Sequence, residues 1–433
     1  MKQPPGCLSS ALVTLAMLAV ALAGLEVYAE RWHWPVADSW YRIREDAGVV
    51  TFGCQDYAPV AFRVVPERTR ILMLGGSTTF GFPLRPKGEA PVAHNYGVAG
   101  AMEVALERGW PGRFEVVDLG VNGGASEDSL RLMRRATAWH PSAVVVYDGH
   151  NEFVSLPAHF SANLYQFALY RRFVSVVPPV TTAPGPVGPP SYGTEAHAAA
   201  VHARFAANLA EIVAIAQVPV VVSTQASNLA GLDPSWSTPA GDADAAWRQG
   251  RLDGDATKLR SARDLDGLPL RATSAINEVI RSLPGVVLVD AEAALPALAG
   301  DESFWDWVHP RPEAAARIAD ALLDGLHRAG VLASSASPAE HPALTSEEQA
   351  EAERRTAVAW LQWACVRRHD PAWRLGHSRD AARRLLALRP DDADGIAILA
   401  VADAVERGVR VTVPAPQHER LARVHACVAA AME

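Results

Sequence analysis

Nothing in this sequence concentrates positive charge. Forty Lys and Arg stand against 48 Asp and Glu, a formal charge of -8, and no long basic run occurs. The dense positive face on which nucleic-acid binding depends is therefore missing. Cysteine is scarce as well, with four in 433 residues, at Cys7, Cys54, Cys365 and Cys427. None stands in a Cys-x-x-Cys pair, so the sequence lacks the spacing of a structural zinc site. The glycine-rich run at 75–81 is not followed by Gly-Lys-Ser/Thr, which excludes a Walker-type phosphate loop. Thr79 sits where Gly-x-Ser-x-Gly requires its last glycine, which argues against an α/β-hydrolase nucleophile elbow. The run from Gly120 to Gly123 has the wrong spacing for a dinucleotide fingerprint.

What is present is apolar. Hydrophobic residues make up 49% and charged residues 20%, the balance of a globular protein with a substantial core. A chain of 433 residues exceeds one ordinary domain and predicts one large unit with appendages. One long uncharged run stands behind Met1-Lys2, at 8–25, with only Ser9, Ser10 and Thr14 breaking its apolar character. Its 18 positions approach the ~20 that a membrane-crossing helix needs and exceed the apolar part of a signal peptide, about 7–15 residues. Ala21-Leu22-Ala23 ahead of Gly24 suits a signal peptidase, so an uncleaved anchor, the preferred reading, stands beside a cleaved signal and a secreted product. In both, Lys2 stays cytoplasmic and the remainder is exported to the periplasmic or extracytoplasmic side. A buried core helix is the third reading.

Residues 30–66, with Trp32, Trp34, Trp40 and Tyr41, form an extension that suits either a membrane interface or packing on the main domain. From residue 67 the pattern is regular. Continuous apolar runs at 71–74, 114–119, 143–147, 218–223 and 286–289 alternate with helical stretches at 99–108, 129–137, 201–216 and 272–282. Continuous runs are what parallel strands covered on both faces require. The expected fold is a three-layer α/β/α sandwich around a five-stranded parallel sheet, spanning 67–333. The Pro/Gly-rich stretch at 177–192 reads as a surface loop, a spacer more readily than a lid. Residues 334–433 follow as a helical region, with helices at 346–368, 378–388 and 394–407 and another from Gln417. Pro390 stands in the turn of one tetratricopeptide-like hairpin there, and a helical cap on the main domain is the expectation. This region is also a candidate surface for a protein partner. Cys365 and Cys427 fall in it, where export would permit a disulfide and two free thiols fit equally.

Four loops at expected strand ends carry chemistry: GGSTTFG with Ser77, DLGVNGGAS with Gly123, YDGHNEF with Asn151, and FWDWVHP with Asp306 and His309. In an open parallel sheet such ends converge on one crevice. A serine hydroxyl needs a base in hydrogen-bond reach, a role His309 can fill. Asp306 can then fix the imidazole tautomer. The backbone N–H groups of Ser77 and Gly123, with the Asn151 amide, can receive the oxyanion that forms on an acyl carbon. Singly, each residue suits a cap, a turn or an ordinary loop. Those readings do not account for four strand ends bearing complementary groups.

These blocks resemble the SGNH/GDSL hydrolase family. Gly75-Gly76-Ser77 is similar to its block I, the segment 116–126 with Gly123 to block II, Gly149-His150-Asn151-Glu152 to block III, and Asp306-Trp307-Val308-His309 to block V. The resemblance covers roughly 68–330. It implies a flavodoxin-like fold, an acyl-ester substrate on a carbohydrate or lipid, and chemistry without metal or organic cofactor. Hydrolysis and O-acyl transfer use the same groups, so both stay open, and a non-catalytic envelope scaffold is the reading from another class. Gly76 stands where many members carry Asp, and Glu152 where block III often has Asp. Segments 225–229 and 262–272 resemble a membrane-anchored bacterial branch of the family.

Overall fold

The structure, a computed structural model, describes residues 17–18, 20–25, 41–154, 194–238, 240–364 and 372–407. Two compact units divide the chain, one of Met1–Ser39 with Pro157–Ala183 and one of Trp40–Leu156 with Pro184–Glu433. In the first unit, the described part of the N-terminal apolar run is helical with exposed side chains. The 177–192 loop, the Cys365/Cys427 pair and the helix from Gln417 lie outside the described residues.

The second unit is built on five strands: β4 (Thr69–Gly75), β5 (Phe114–Gly120), β6 (Ala143–Tyr147), β7 (Val220–Ser223) and β8 (Val287–Val289). They pair in the order β5-β4-β6-β7-β8, all parallel. Side chains alternate along each strand, so a run buried on both faces feeds two cores. Leu72, Leu74, Val144 and Val146 join a core with Leu130, Met133, Phe205, Leu209 and Ile276. Ile71, Met73, Val145 and Val221 join the opposite core with Val98, Met102, Ile318 and Leu322. Helices Ser126–Ala136, Glu195–Ala216 and Ser274–Arg281 cover the first face, and Gly97–Gly109 and Pro312–Arg328 cover the second. This is the expected three-layer sandwich. Glu195–Ala216 is long and apolar enough to cross a membrane, but here it packs Phe205, Leu209 and Ile212 into the first core.

Two parts were not anticipated as regular structure. Residues 41–63 form an antiparallel meander, β1 (Tyr41–Asp46), β2 (Val49–Cys54) and β3 (Val60–Arg63). Its inward residues Val50, Phe52 and Phe62 enter the first core, and the Phe62 ring meets Trp139 edge-on at 5.3 Å. Of the two readings for this segment, packing on the domain is the observed one for 41–63. The β1–β2 turn places Ala47 and Gly48 at positive φ, a hairpin geometry usually marked by Asn-Gly or Asp-Gly. Arg70, fully buried, donates to Glu115 at 2.7 Å and to the carbonyls of Arg63, Val64 and Trp139, tying meander to sheet. The second part is the helix pair Ala243–Asp253 and Ala256–Asp264, whose first turns are capped by Asp242 and Asp255.

Helices Ser346–Ala364, Ala372–Leu388 and Ala393–Arg407 share a core of their own around Leu361, Leu375, Ile398 and Val401. They also pack on the sandwich, where Trp360 meets Trp307 edge-on at 5.0 Å. Phe52 is 1% exposed, so truncation leaves a cavity in the shared core. Phe52→Ala is expected to lower unfolding free energy by about 3–5 kcal/mol in urea titrations. A loss under about 1 kcal/mol would mean the meander is not part of that core.

Candidate active site

Sheet register aligns three loops at one level. Gly75 ends β4, paired with Gly120 of β5 on one side and Tyr147 of β6 on the other. The backbones are so close that a Cβ on Gly75 would lie 2.1 Å from Tyr147 O and 2.3 Å from Thr79 Oγ1. A Cβ on Gly120 would lie 2.2 Å from Phe80 N. Only glycine permits this approach, which seats the short helix Ser77–Phe80 against both strands. Thr79 Oγ1 donates to Tyr147 O at 2.9 Å and locks that helix to β6.

Ser77 opens the helix with its side chain against His309. Ser77 Oγ lies 2.7 Å from His309 Nε2, and His309 Nδ1 lies 2.6 Å from Asp306 Oδ2. The other Asp306 oxygen accepts the backbone N–H of Val308 at 2.9 Å and of His309 at 3.0 Å. Burial pushes the Asp306 carboxyl up, but the His309 ring and those two N–H groups outweigh it and hold the group below the usual carboxylate range. A carboxylate there takes the Nδ1–H, which leaves the Nε2 lone pair facing the serine hydroxyl. The loop is braced: Trp305 N donates to His309 O at 2.8 Å, and Asn228 N donates to Trp307 O at 3.0 Å. The Phe82 ring, whose centroid is 4.6 Å from that of His309, packs on the imidazole.

Gly123, at φ +81°, lies in the turn after β5, in the left-handed region where glycine pays no Cβ penalty. Asn151 Nδ2 donates to Gly124 O at 2.8 Å, which uses one of its two N–H groups. A Cβ on Gly76 would lie 3.1 Å from both Asn151 Nδ2 and Gly124 O, so the Asn151 amide and the turn after β5 close on the backbone just before Ser77. Ser77, Gly123, Asn151, Asp306 and His309 are thus brought to one end of the sheet. A cavity of about 310 Å³, lined by Phe62, Asn95, Glu103 and Phe114 among others, involves none of them.

Behind these residues stand groups that the sequence reading did not assign. Glu152, fully buried, accepts Ser126 N at 2.8 Å and Ser126 Oγ at 3.0 Å and pairs with Arg204 at 3.2 Å. It therefore joins the loops after β5 and β6 to helix Glu195–Ala216. Asp148 accepts Ser129 Oγ at 2.5 Å and Gly149 N at 2.8 Å, and burial, reinforced by the Glu152 charge, raises its carboxyl well above the carboxylate range. His150 Nδ1 accepts the N–H of Ala272 at 3.1 Å, and burial first, with the neighbouring His309 and Arg263, drives its pKa down to about 3. Acidic residues beside Gly149 and Asn151 were visible in YDGHNEF, but their partners lie up to 52 positions away.

No family model matches the chain, and no curated protein matches it significantly. Among solved structures, an acetylxylan esterase from Geobacillus stearothermophilus, in catalytic-mutant form, is similar at 16% identity with a TM-score of 0.34, over 61% of this chain and 95% of that one. A GDSL-like lipase from Bacteroides thetaiotaomicron is similar at 13% identity and TM-score 0.32, over 60% and 89%. A member of the lipolytic G-D-S-L family from Veillonella parvula gives 12% and 0.33, over 60% and 98%. Likeness at this level carries no functional argument.

A buried neutral histidine has a signature in acid. Below its unfolded value of 6.5 the unfolded chain takes up a proton that folded His150 refuses down to about 3, so stability is lost as pH drops across that window. His150→Asn removes the term. Between pH 6.5 and 5.5 the wild type should lose roughly 1 kcal/mol more than the variant in urea titrations. Parallel losses would show that His150 is protonated in the fold.

Proposed function

We propose that this chain is a serine esterase of the SGNH/GDSL type, with Ser77 as nucleophile, His309 as general base and acid, and Asp306 as the group that orients and stabilises the imidazolium. One observation carries the reading: the unbroken hydrogen-bonded chain Asp306–His309–Ser77 at the carboxyl ends of a parallel sheet. Ser77 Oγ attacks the acyl carbonyl as its proton passes to His309 Nε2. The tetrahedral oxygen takes hydrogen bonds from Ser77 N, Gly123 N and the second N–H of Asn151, donors set before the reaction begins. His309 returns the proton to the departing alcohol, leaving an acyl-enzyme. Water, activated by the same imidazole, then releases the acid. No step calls on a metal or organic cofactor.

The substrate proposed is an O-acyl ester of a carbohydrate or lipid. The apolar run at 8–25 behind Lys2 supports an anchored enzyme acting on the far side of a membrane. We assign the hydrolase to 67–333, the 30–66 extension to its N-terminal flank and 334–433 to a helical appendage.

With p-nitrophenyl acetate as reporter, Ser77→Ala and Asp306→Asn should each lower kcat about 10⁴-fold or more. Asn151→Ala should lower it about 10²–10³-fold with KM little changed. Wild-type turnover by folded Ser77→Ala would end the proposal. Acyl release that strictly requires an added polysaccharide acceptor would replace the hydrolase with a transferase.

A further inference from the structure

The helix Ser346–Ala364 lies outside the sandwich, yet its buried side chains grip the two loops that must stay in register for Ser77 to meet His309. Arg355 is 6% exposed and donates to the carbonyls of Pro83 at 2.8 Å and Arg85 at 2.5 Å, both on the segment leaving the Ser77–Phe80 helix. Glu351 holds the guanidinium from behind at 2.7 Å, and the Tyr57 ring lies 5.2 Å beneath it. Phe82 immediately precedes the first of those carbonyls, and its ring packs on His309. On the histidine side, Trp360 is 1% exposed and packs on Trp307, two residues before His309. Glu353, also 1% exposed, lies 3.6 Å from Arg311, whose Nε donates to the carbonyls of Asp301 and Phe304.

From this we infer that the helix Ser346–Ala364 is a clamp that sets the separation of Ser77 and His309, with Arg355 and Trp360 as positioning residues. The inference rests on the esterase reading above. Neither side chain touches the reacting atoms. Each acts through a loop: Arg355 through Pro83 and Arg85, Trp360 through Trp307. A guanidinium suits the first task because Nη1 holds both carbonyls while Nε is fixed by Glu351, a spread of donors over one rigid plane that an ammonium on a flexible stem does not reproduce. Misplacement of a reacting group by about 1 Å costs on the order of 10²-fold in rate. A brace on both loops therefore bears on kcat while leaving substrate affinity nearly untouched.

The test uses the full chain carrying Arg355→Lys, Trp360→Phe or, as control on the same helix, the exposed Gln362→Ala. Near-ultraviolet circular dichroism and thermal melting establish folding, and p-nitrophenyl acetate kinetics with fluorophosphonate labelling rates read the site. The expected result is a folded Arg355→Lys with kcat and labelling rate each down about 10- to 100-fold and KM within twofold. Trp360→Phe should fall less, and Gln362→Ala not at all. Wild-type kcat in both folded clamp variants would overturn the inference and leave the esterase reading standing. Unfolding of both would overturn it too, because the helix would then brace the whole domain. Labelling that persists in Ser77→Ala would instead remove the esterase reading beneath it.

Discussion

The hydrogen bond between Ser77 and His309 joins positions 232 apart in the chain, and most of the architecture bears on keeping that bond near 2.7 Å. On the serine side the constraint is steric. Gly75 and Gly120 let the Ser77–Phe80 helix settle onto β4, β5 and β6 at distances that no side chain would tolerate. On the histidine side it is electrostatic. Asp306 spends one oxygen on the ring and the other on two backbone N–H groups of its own loop. The imidazole consequently has one tautomer and one orientation, and both point at the hydroxyl.

Along the same sheet the protein buries several charged pairs. Glu152 with Arg204, Asp118 with Arg85, and Arg70 with Glu115 all stand at or near the sheet, with at least one partner of each pair almost wholly removed from water. Burial raises the Asp118 carboxyl to about 6 in spite of Arg85, and it lowers Arg271 to about 9. Pairs of this kind seldom add net stability, since desolvation offsets their attraction. Their geometry is what matters here. Glu152 fixes the Ser126 backbone after the Gly123 turn, and Arg271 donates to the carbonyls of Asn228, Leu229 and Leu232 beside the histidine loop. Polar groups held in a dry setting are the means by which a site meets developing charge without reorganising.

Much of this was legible in the residues themselves. The strands announced themselves because parallel strands covered on both faces need unbroken apolar runs, and 71–74 and 143–147 are such runs. Ser77, Gly123 and Asn151 stand within a few residues of a strand end, where topology leaves little freedom, whereas Asp306 and His309 lie well beyond β8, past the helix Ala291–Ala294. What escaped was of two kinds. Helix starts at Gly97, Ser126 and Glu195 precede the expected ones by two to six positions, because first turns are polar or glycine-rich and carry no apolar period. The meander and the 243–264 helices were missed because their signals are local and weak: an Ala-Gly turn in one, Asp caps in the other. Side-chain ties such as Arg355 to Pro83, 272 positions apart, have no sequence pattern at all. They depend on where two surfaces meet once the fold exists.

The most direct test of the account is chemical. Full-length protein treated with a fluorophosphonate, digested and mapped by mass spectrometry should carry a single adduct, on Ser77, and its formation should slow sharply when His309 is replaced by Ala. An adduct on any other serine, or none on folded protein, would contradict the assignment of Ser77 as an activated nucleophile. The hydrogen-bonded chain behind it would then be a structural feature alone.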